Sequence, residues 1–332
     1  MLDDPGLDSQ ELTDAIAQAY GIGATGFTFV PGYDMQAAAY DVAATEGRWF
    51  AKLWFGPVAD PPREVPRALL DAGVSNVLAP LRTATSALSH RVGGDRTLVL
   101  YPFVAGRNAM EAGMNHDQWR AFGSALRAVH DSGLERQFAG RLPAETFTLP
   151  SAALVMDVLQ QGPSVDSAAA AHMRALLREH RGRIDSMLER AGELGIHLRE
   201  RPFARVLCHS DIHAANVLVA DDGRILLVDW DGPMLAPRER DLLFVIGSRI
   251  ARRVEPEEEA WFFEGYGEVS ADRDAIVYYR YERIIEDIGE FARSIFSDLD
   301  LPESSRAEQV AQVETFFEPG GIVETAERVV IG

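Results

Sequence analysis

Apolar and polar positions follow two rhythms along this chain, and the change of rhythm divides it. The first hundred residues mostly alternate with period two, as half-buried strands do. Strands are predicted over 27–30, 37–43 and 48–55, and again near 77–78, 87–92 and 97–103, with Gly93-Gly94-Asp95 as a turn. A helix is predicted within residues 1–20, capped by Asp8 and Ser9, with Leu12, Ile16 and Ala19 on one face. The proline-rich stretch 57–62 interrupts the strands, and 63–72 reads as a second helix. From Asn115 the period becomes helical: Trp119, Phe122, Leu126 and Val129 recur at i, i+3, i+7 and i+10. Residues 151–160 and 168–194 continue in helical register, as do segments after 238, over 257–266 and over 272–296. Between them lies one strand-like interruption. It runs from Val206-Leu207-Cys208 through a polar loop to apolar runs at 217–219 and 225–228, which flank the turn signal Asp222-Gly223.

That interruption carries the candidate chemistry. The loop reads His209-Ser210-Asp211-Ile212-His213-Ala214-Ala215-Asn216, and the second apolar run ends directly on Asp229. One hairpin therefore brings Asp211, Asn216 and Asp229 to its open end. A carboxylate to orient a hydroxyl, and an amide and a carboxylate for Mg²⁺, are what phosphoryl transfer needs. The spacing H-x-D-x-x-x-x-N is that of a kinase catalytic loop, with Asp229 in the place of the metal-binding Asp. A hydrolytic metal cluster at His209, Asp211 and His213 would need a further His-rich segment, and the eight histidines supply none. His209 by itself reads as a hydrogen-bonded structural residue.

Composition sharpens one position. Of 32 basic residues 31 are arginine, and the only lysine is Lys52, inside the aromatic-rich strand R-W-F-A-K-L-W-F. In so arginine-biased a chain, a lone lysine marks a place where a compact ammonium serves and a planar guanidinium does not. A strand with Lys52, then a helix with Glu64, is the order that builds a kinase Lys–Glu pair on the nucleotide phosphates. The literal G-x-G-x-x-G at 21–26 is not a dinucleotide fingerprint, because a helix precedes it and a strand follows. Gly32, between the strands at 27–30 and 37–43, is the better candidate for a turn close to phosphates.

The formal net charge of −19 argues against nucleic acid and anionic membrane as partners and suits a small cationic substrate. Fifteen Asp and Glu against four Arg fall between residues 255 and 303, downstream of the candidate site. No run approaches the length of a membrane span, the first residues are acidic, and Cys208 is the only cysteine. A cytoplasmic enzyme is expected, with Cys208 as core packing.

Through H-S-D-I-H-A-A-N-V-L and I-L-L-V-D-W-D the chain resembles the aminoglycoside phosphotransferase family of kinase-like enzymes. V-D-W-D-G-P-M-L-A-P-R-E-R-D-L and Y-Y-R-Y-E-R-I-I-E-D-I are similar to its spectinomycin-modifying branch. The resemblance implies an α+β, two-lobed protein-kinase-like fold: a β-rich nucleotide-binding N-lobe at 1–103 and a mostly helical C-lobe at 104–332. It implies ATP, with GTP an open alternative, its adenine read by the Pro102 carbonyl and the Val104 N–H, its phosphates near Gly32 and Lys52. Mg²⁺ would sit on Asn216 and Asp229, Asp211 would serve the acceptor hydroxyl, and Asp241 would support the loop. Tyr279, Glu282, Glu286 and Asp287 would receive an aminosugar or aminocyclitol, although Glu282, Glu286 and Glu290 at i, i+4 spacing also read as a solvated face. A choline, homoserine or methylthioribose kinase would use the same site.

Overall fold

The computed structural model describes residues 5–31, 36–56 and 58–328. It forms two compact units, one of residues 1–143, 209–235 and 261–267, the other of residues 144–208, 236–260 and 268–332.

The first unit begins with helix α1 (Ser9–Tyr20), capped by Asp8, whose side chain accepts from the Gln10 N–H at 2.9 Å. Five antiparallel strands follow: β1 (Ala24–Val30), β2 (Ala37–Ala44), β3 (Gly47–Phe55), β4 (His90–Val92) and β5 (Arg96–Pro102), in the order β1-β2-β3-β5-β4. Period-two patterning gives the sheet two different faces. Val42, Ala51, Leu53, Leu98 and Leu100 pack with Leu12 and Ile16 of α1 in the main core of this sheet. Trp54 and Val99 form a smaller cluster with Ala37, and Lys52 pairs with Val99 across the β3–β5 ladder on that same face. Helix α2 (Pro61–Asp71) starts on two prolines, which lack the N–H groups a first turn leaves unsatisfied. Strand near 77–78 reduces to one parallel bridge from Val77 to Leu227, too short for a ladder. The predicted strand at 87–92 keeps only its last three residues.

Beyond Pro102 the chain adds β6 (Gly106–Asn108) and two helices, α3 (Ala109–Ala112) and α4 (His116–His130). The latter begins with a reciprocal capping box between Asn115 and Gln118. β6 joins the hairpin β8 (Val217–Ala220) and β9 (Ile225–Leu227), which follows β7 (Val206–Cys208), in a three-stranded sheet ordered β6-β8-β9. Gly123 in α4 faces the backbone of 261–267: an added Cβ would overlap the Phe262 carbonyl oxygen and lie 2.7 Å from the Tyr266 nitrogen. Main chain cannot step aside as a flexible side chain can. Gly123→Ala is therefore expected to destabilise by about 1–3 kcal/mol, read as a lower urea midpoint at unchanged m-value.

The second unit is built around helix Arg273–Ser297, in which 15 of 25 residues are buried, so it is packed on more than one side. Helices Ala152–Gln161 and Arg181–Arg199 lie against it, as does Glu303–Phe317, for which the sequence analysis gave no element. The predicted 168–194 helix is two, Ala168–Glu179 and Arg181–Arg199, broken at His180. Arg280 is buried, and its guanidinium caps the Ile246 and Ala326 carbonyls. Burial pulls it down to about 10 from the usual arginine value.

Candidate active site

The β8–β9 hairpin fixes the loop before it and the residue after it. Asn216 ends a short 3₁₀ turn at the start of β8, and its carbonyl accepts the Val228 N–H at 3.0 Å. Its side-chain nitrogen donates to the Asp211 carbonyl at 2.8 Å. That fixes the amide's orientation, with the nitrogen turned toward Asp211 and the oxygen, an acceptor, turned the other way. His213 Nε2 lies 3.5 Å from the Asp211 carboxylate, which is partly exposed. His209 is completely buried, with Nε2 2.9 Å from the Val228 carbonyl and Nδ1 3.4 Å from the Asp211 N–H. Those partners set its tautomer, Nε2 carrying the proton and Nδ1 accepting. It ties the loop of Asp211 to the strand leading to Asp229, and its ring packs on Trp230 at 4.4 Å. Cys208 is buried, and burial pushes its thiol well above the ordinary value, so it is core material and not a nucleophile.

Asp229 follows β9 in a left-handed conformation, φ +62°, and Ser210 before Asp211 is at φ +73°. Lys52 Nζ bridges two carboxylates, Asp229 at 3.1 Å and Asp231 at 2.5 Å, and sits 4.8 Å from the Trp54 ring. Loss of bulk water and then the Asp229 charge push the Asp231 carboxyl up to about 6, against the pull of Lys52. Asp211, Asp229 and Asp231 share one cavity of about 520 Å³, whose wall also includes Gln36, Trp54, Pro62 and Arg63. The sequence reading overlooked Asp231 and Arg63. Asp231 was legible as an acid two residues beyond the expected metal ligand Asp229, whereas nothing in the pattern marks Arg63.

Glu64 is placed elsewhere than expected. Its carboxylate takes Arg141 at 2.7 and 2.8 Å. Gly32 lies outside the described residues. Pro102 closes β5 opposite Trp49, and the next residue, Phe103, donates its N–H to the Arg48 carbonyl at 3.4 Å under the Arg48 guanidinium. Val104 follows, half-buried, before β6.

In the second unit the acidic helix is not a bare row of carboxylates. Glu282 is buried on Arg240, Asp287 pairs with Arg283 at 3.0 Å, and Glu290 pairs with Arg293. Glu286 is half-buried. Tyr279 is fully buried beside Arg240, and burial, then Glu145, raises its phenol well above the ordinary value. Asp241 is likewise fully buried. Core pairing has used groups that the i, i+4 pattern placed on an open face.

A hairpin that carries Asp211, Asn216 and Asp229, with a strand lysine on that last aspartate, points to a class, and residues 27–277 match the model of the phosphotransferase enzyme family. The chain belongs to that family. Its fold is the kinase-like α+β fold. The structure is similar to spectinomycin phosphotransferase APH(9)-Ia, solved in complex with ADP and spectinomycin, at 29% identity and TM-score 0.86, over 97% of this chain and 98% of that one. Choline kinase LicA from Streptococcus pneumoniae shares the fold at 13% identity and TM-score 0.58, over 92% and 97% of the two chains. Protein StrN of Streptomyces griseus is 30% identical over 187 residues, 54% of this chain and 57% of that protein. The chain thus matches little more than half the length of that relative. Among the described residues no helix is long and apolar enough to cross a membrane.

Proposed function

We propose that this protein transfers the γ-phosphoryl group of ATP, in the presence of Mg²⁺, to a hydroxyl of a small cationic aminocyclitol such as spectinomycin, and so confers resistance to it. One observation carries the reading: Asp211 and Asp229 line one cavity, with Lys52 on Asp229. The similarity to a spectinomycin phosphotransferase along nearly the whole of both chains supports the choice of acceptor. It also supports the division of labour between residues 1–103, which would bind nucleotide, and 104–332, which would hold the catalytic loop and the acceptor.

The donor set suits a hard divalent cation. Asn216 and Asp229 offer only oxygen ligands, as Mg²⁺ prefers, and Lys52 stands where excess negative charge must be offset. When bound, such an ion neutralises charge on the transferring phosphoryl group. Asp211 accepts a hydrogen bond from the acceptor hydroxyl and holds it in line for attack. His213 steadies the Asp211 carboxylate, and Asn216 fixes the backbone beneath it. Lys52 positions the nucleotide phosphates and keeps Asp229 oriented. Transfer of this kind has a loose transition state, so positioning and charge neutralisation supply most of the rate. Pro102 and Val104 are the backbone groups proposed to read adenine.

Mg-ATP-dependent ADP release, measured with spectinomycin, a panel of aminoglycosides and choline as acceptors, tests the reading. Turnover with spectinomycin is the expected result; turnover with choline alone would move the assignment to a metabolite kinase. Lys52→Arg is expected to raise the KM for ATP about tenfold, the loss of one charge-assisted hydrogen bond of ~1.5 kcal/mol. Normal ATP saturation in that variant would remove Lys52 from the nucleotide site.

A further inference from the structure

Lys52 leaves the middle of β3 opposite Val99, and its mostly buried side chain ends between two carboxylates, Asp229 at 3.1 Å and Asp231 at 2.5 Å. An ammonium is a compact charge on a flexible four-carbon stem, so its place is set by whatever holds its tip. Both aspartates line the cavity, and each is about half-exposed.

The order Asp229-Trp230-Asp231 explains how two carboxylates reach one ammonium. Trp230 is buried, its Nε1 donates to the Leu227 carbonyl at 3.2 Å, and its ring packs on His209. With the middle residue pinned inward, its two neighbours both present carboxylates to the cavity. These two are not equivalent. Asp229 is the residue assigned to the divalent cation. A carboxylate that holds such an ion has less charge left for an ammonium, and the ion itself repels one. Asp231 is the nearer of the two to Lys52. Glu64, the carboxylate that element order offered this lysine, is taken by Arg141 through both oxygens.

We propose that Asp231 is a positioning residue: it holds the Lys52 ammonium where the nucleotide phosphates meet it, and so leaves Asp229 to the cation. The proposal rests on the reading of the site as a nucleotide site. A charge-assisted hydrogen bond of this length is among the stronger ones a side chain makes. It also fixes in advance a rotamer-rich side chain that would otherwise be ordered only when nucleotide binds. Asp231 acts on the nucleotide through Lys52, so its effect on affinity should vanish when the lysine does.

Calorimetric titration of the full chain with ADP and Mg²⁺, run as a double-mutant cycle, tests that dependence. Asp231→Asn is expected to weaken ADP binding about tenfold. In a Lys52→Met background the same change is expected to alter it less than about twofold. Asp231→Glu, which keeps the charge, should recover most of the loss, and Asp231→Ser replaces Asp231→Asn if that variant does not fold. Because Lys52 is the only lysine, isotopic labelling of lysine at Cε gives one side-chain magnetic-resonance signal, expected to shift in nucleotide-free Asp231→Asn. Any of three results overturns the proposal: unchanged ADP affinity in Asp231→Asn, an unmoved lysine signal, or an equal fall in both backgrounds, which would make Asp231 act on the cation directly. If the wild-type protein binds no ADP, the nucleotide reading itself fails and the proposal with it.

Discussion

Asp211→Ala is expected to lower turnover roughly 100- to 10,000-fold, the range for removing a group that handles the proton of the reacting hydroxyl. ADP affinity should stay near the wild-type value, because the Asp211 carboxylate contacts His213 and the Asn216 side chain, and Lys52 holds other carboxylates. Folding should also survive. The side chain is partly exposed, and the backbone contacts that shape the loop belong to the Asp211 carbonyl and N–H, which alanine keeps. Steady-state ADP release beside ADP calorimetry separates the two effects. Unchanged turnover would remove Asp211 from the chemistry.

The second large effect is expected at Asp229. Asp229→Asn keeps the shape and tolerates the left-handed backbone, since asparagine visits that region more readily than most residues. It removes the charge that both a divalent cation and Lys52 need. Turnover should fall about 100- to 1,000-fold, as when one preorganised electrostatic partner is lost. The Mg²⁺ concentration for half-maximal rate should rise with it. Thermal stability should not fall, because the substitution relieves the repulsion between Asp229 and Asp231 that raises the Asp231 carboxyl. A variant that turns over normally at low Mg²⁺ would place the metal elsewhere.

Local spacing made part of the site legible and tertiary pairing hid the rest. Asp211, Asn216 and Asp229 could be read because a hairpin with a fixed turn leaves few ways to arrange its ends. Lys52 could be read because composition made it singular. Glu64 was expected beside Lys52 from element order alone, but Arg141, 77 residues away in sequence, takes its carboxylate. The same limit applies to Glu282. An i, i+4 row says that side chains share a helix face, not whether that face meets water or another cation, and Arg240 decides it here. Arg63 left no trace in the pattern, because in an arginine-rich chain one more arginine near a helix start looks like a surface charge. His209, expected to be a hydrogen-bonded structural residue, meets backbone through both ring nitrogens.

The residues flanking the chemistry are not the ones a backbone would choose for comfort. Ser210 and Asp229 both occupy left-handed conformations that glycine would adopt more easily, and each costs about 1–2 kcal/mol for it. The strands on either side are short and close-packed, so the strain has nowhere to spread. A population selected for heat resistance alone would drift toward glycine at such places. It would lose the Asp229 carboxylate outright, and the fixed turn before Asp211, well before its core sequence changed. The same two turns set a limit on laboratory consensus design: here, making the chain more ordinary makes it a worse enzyme.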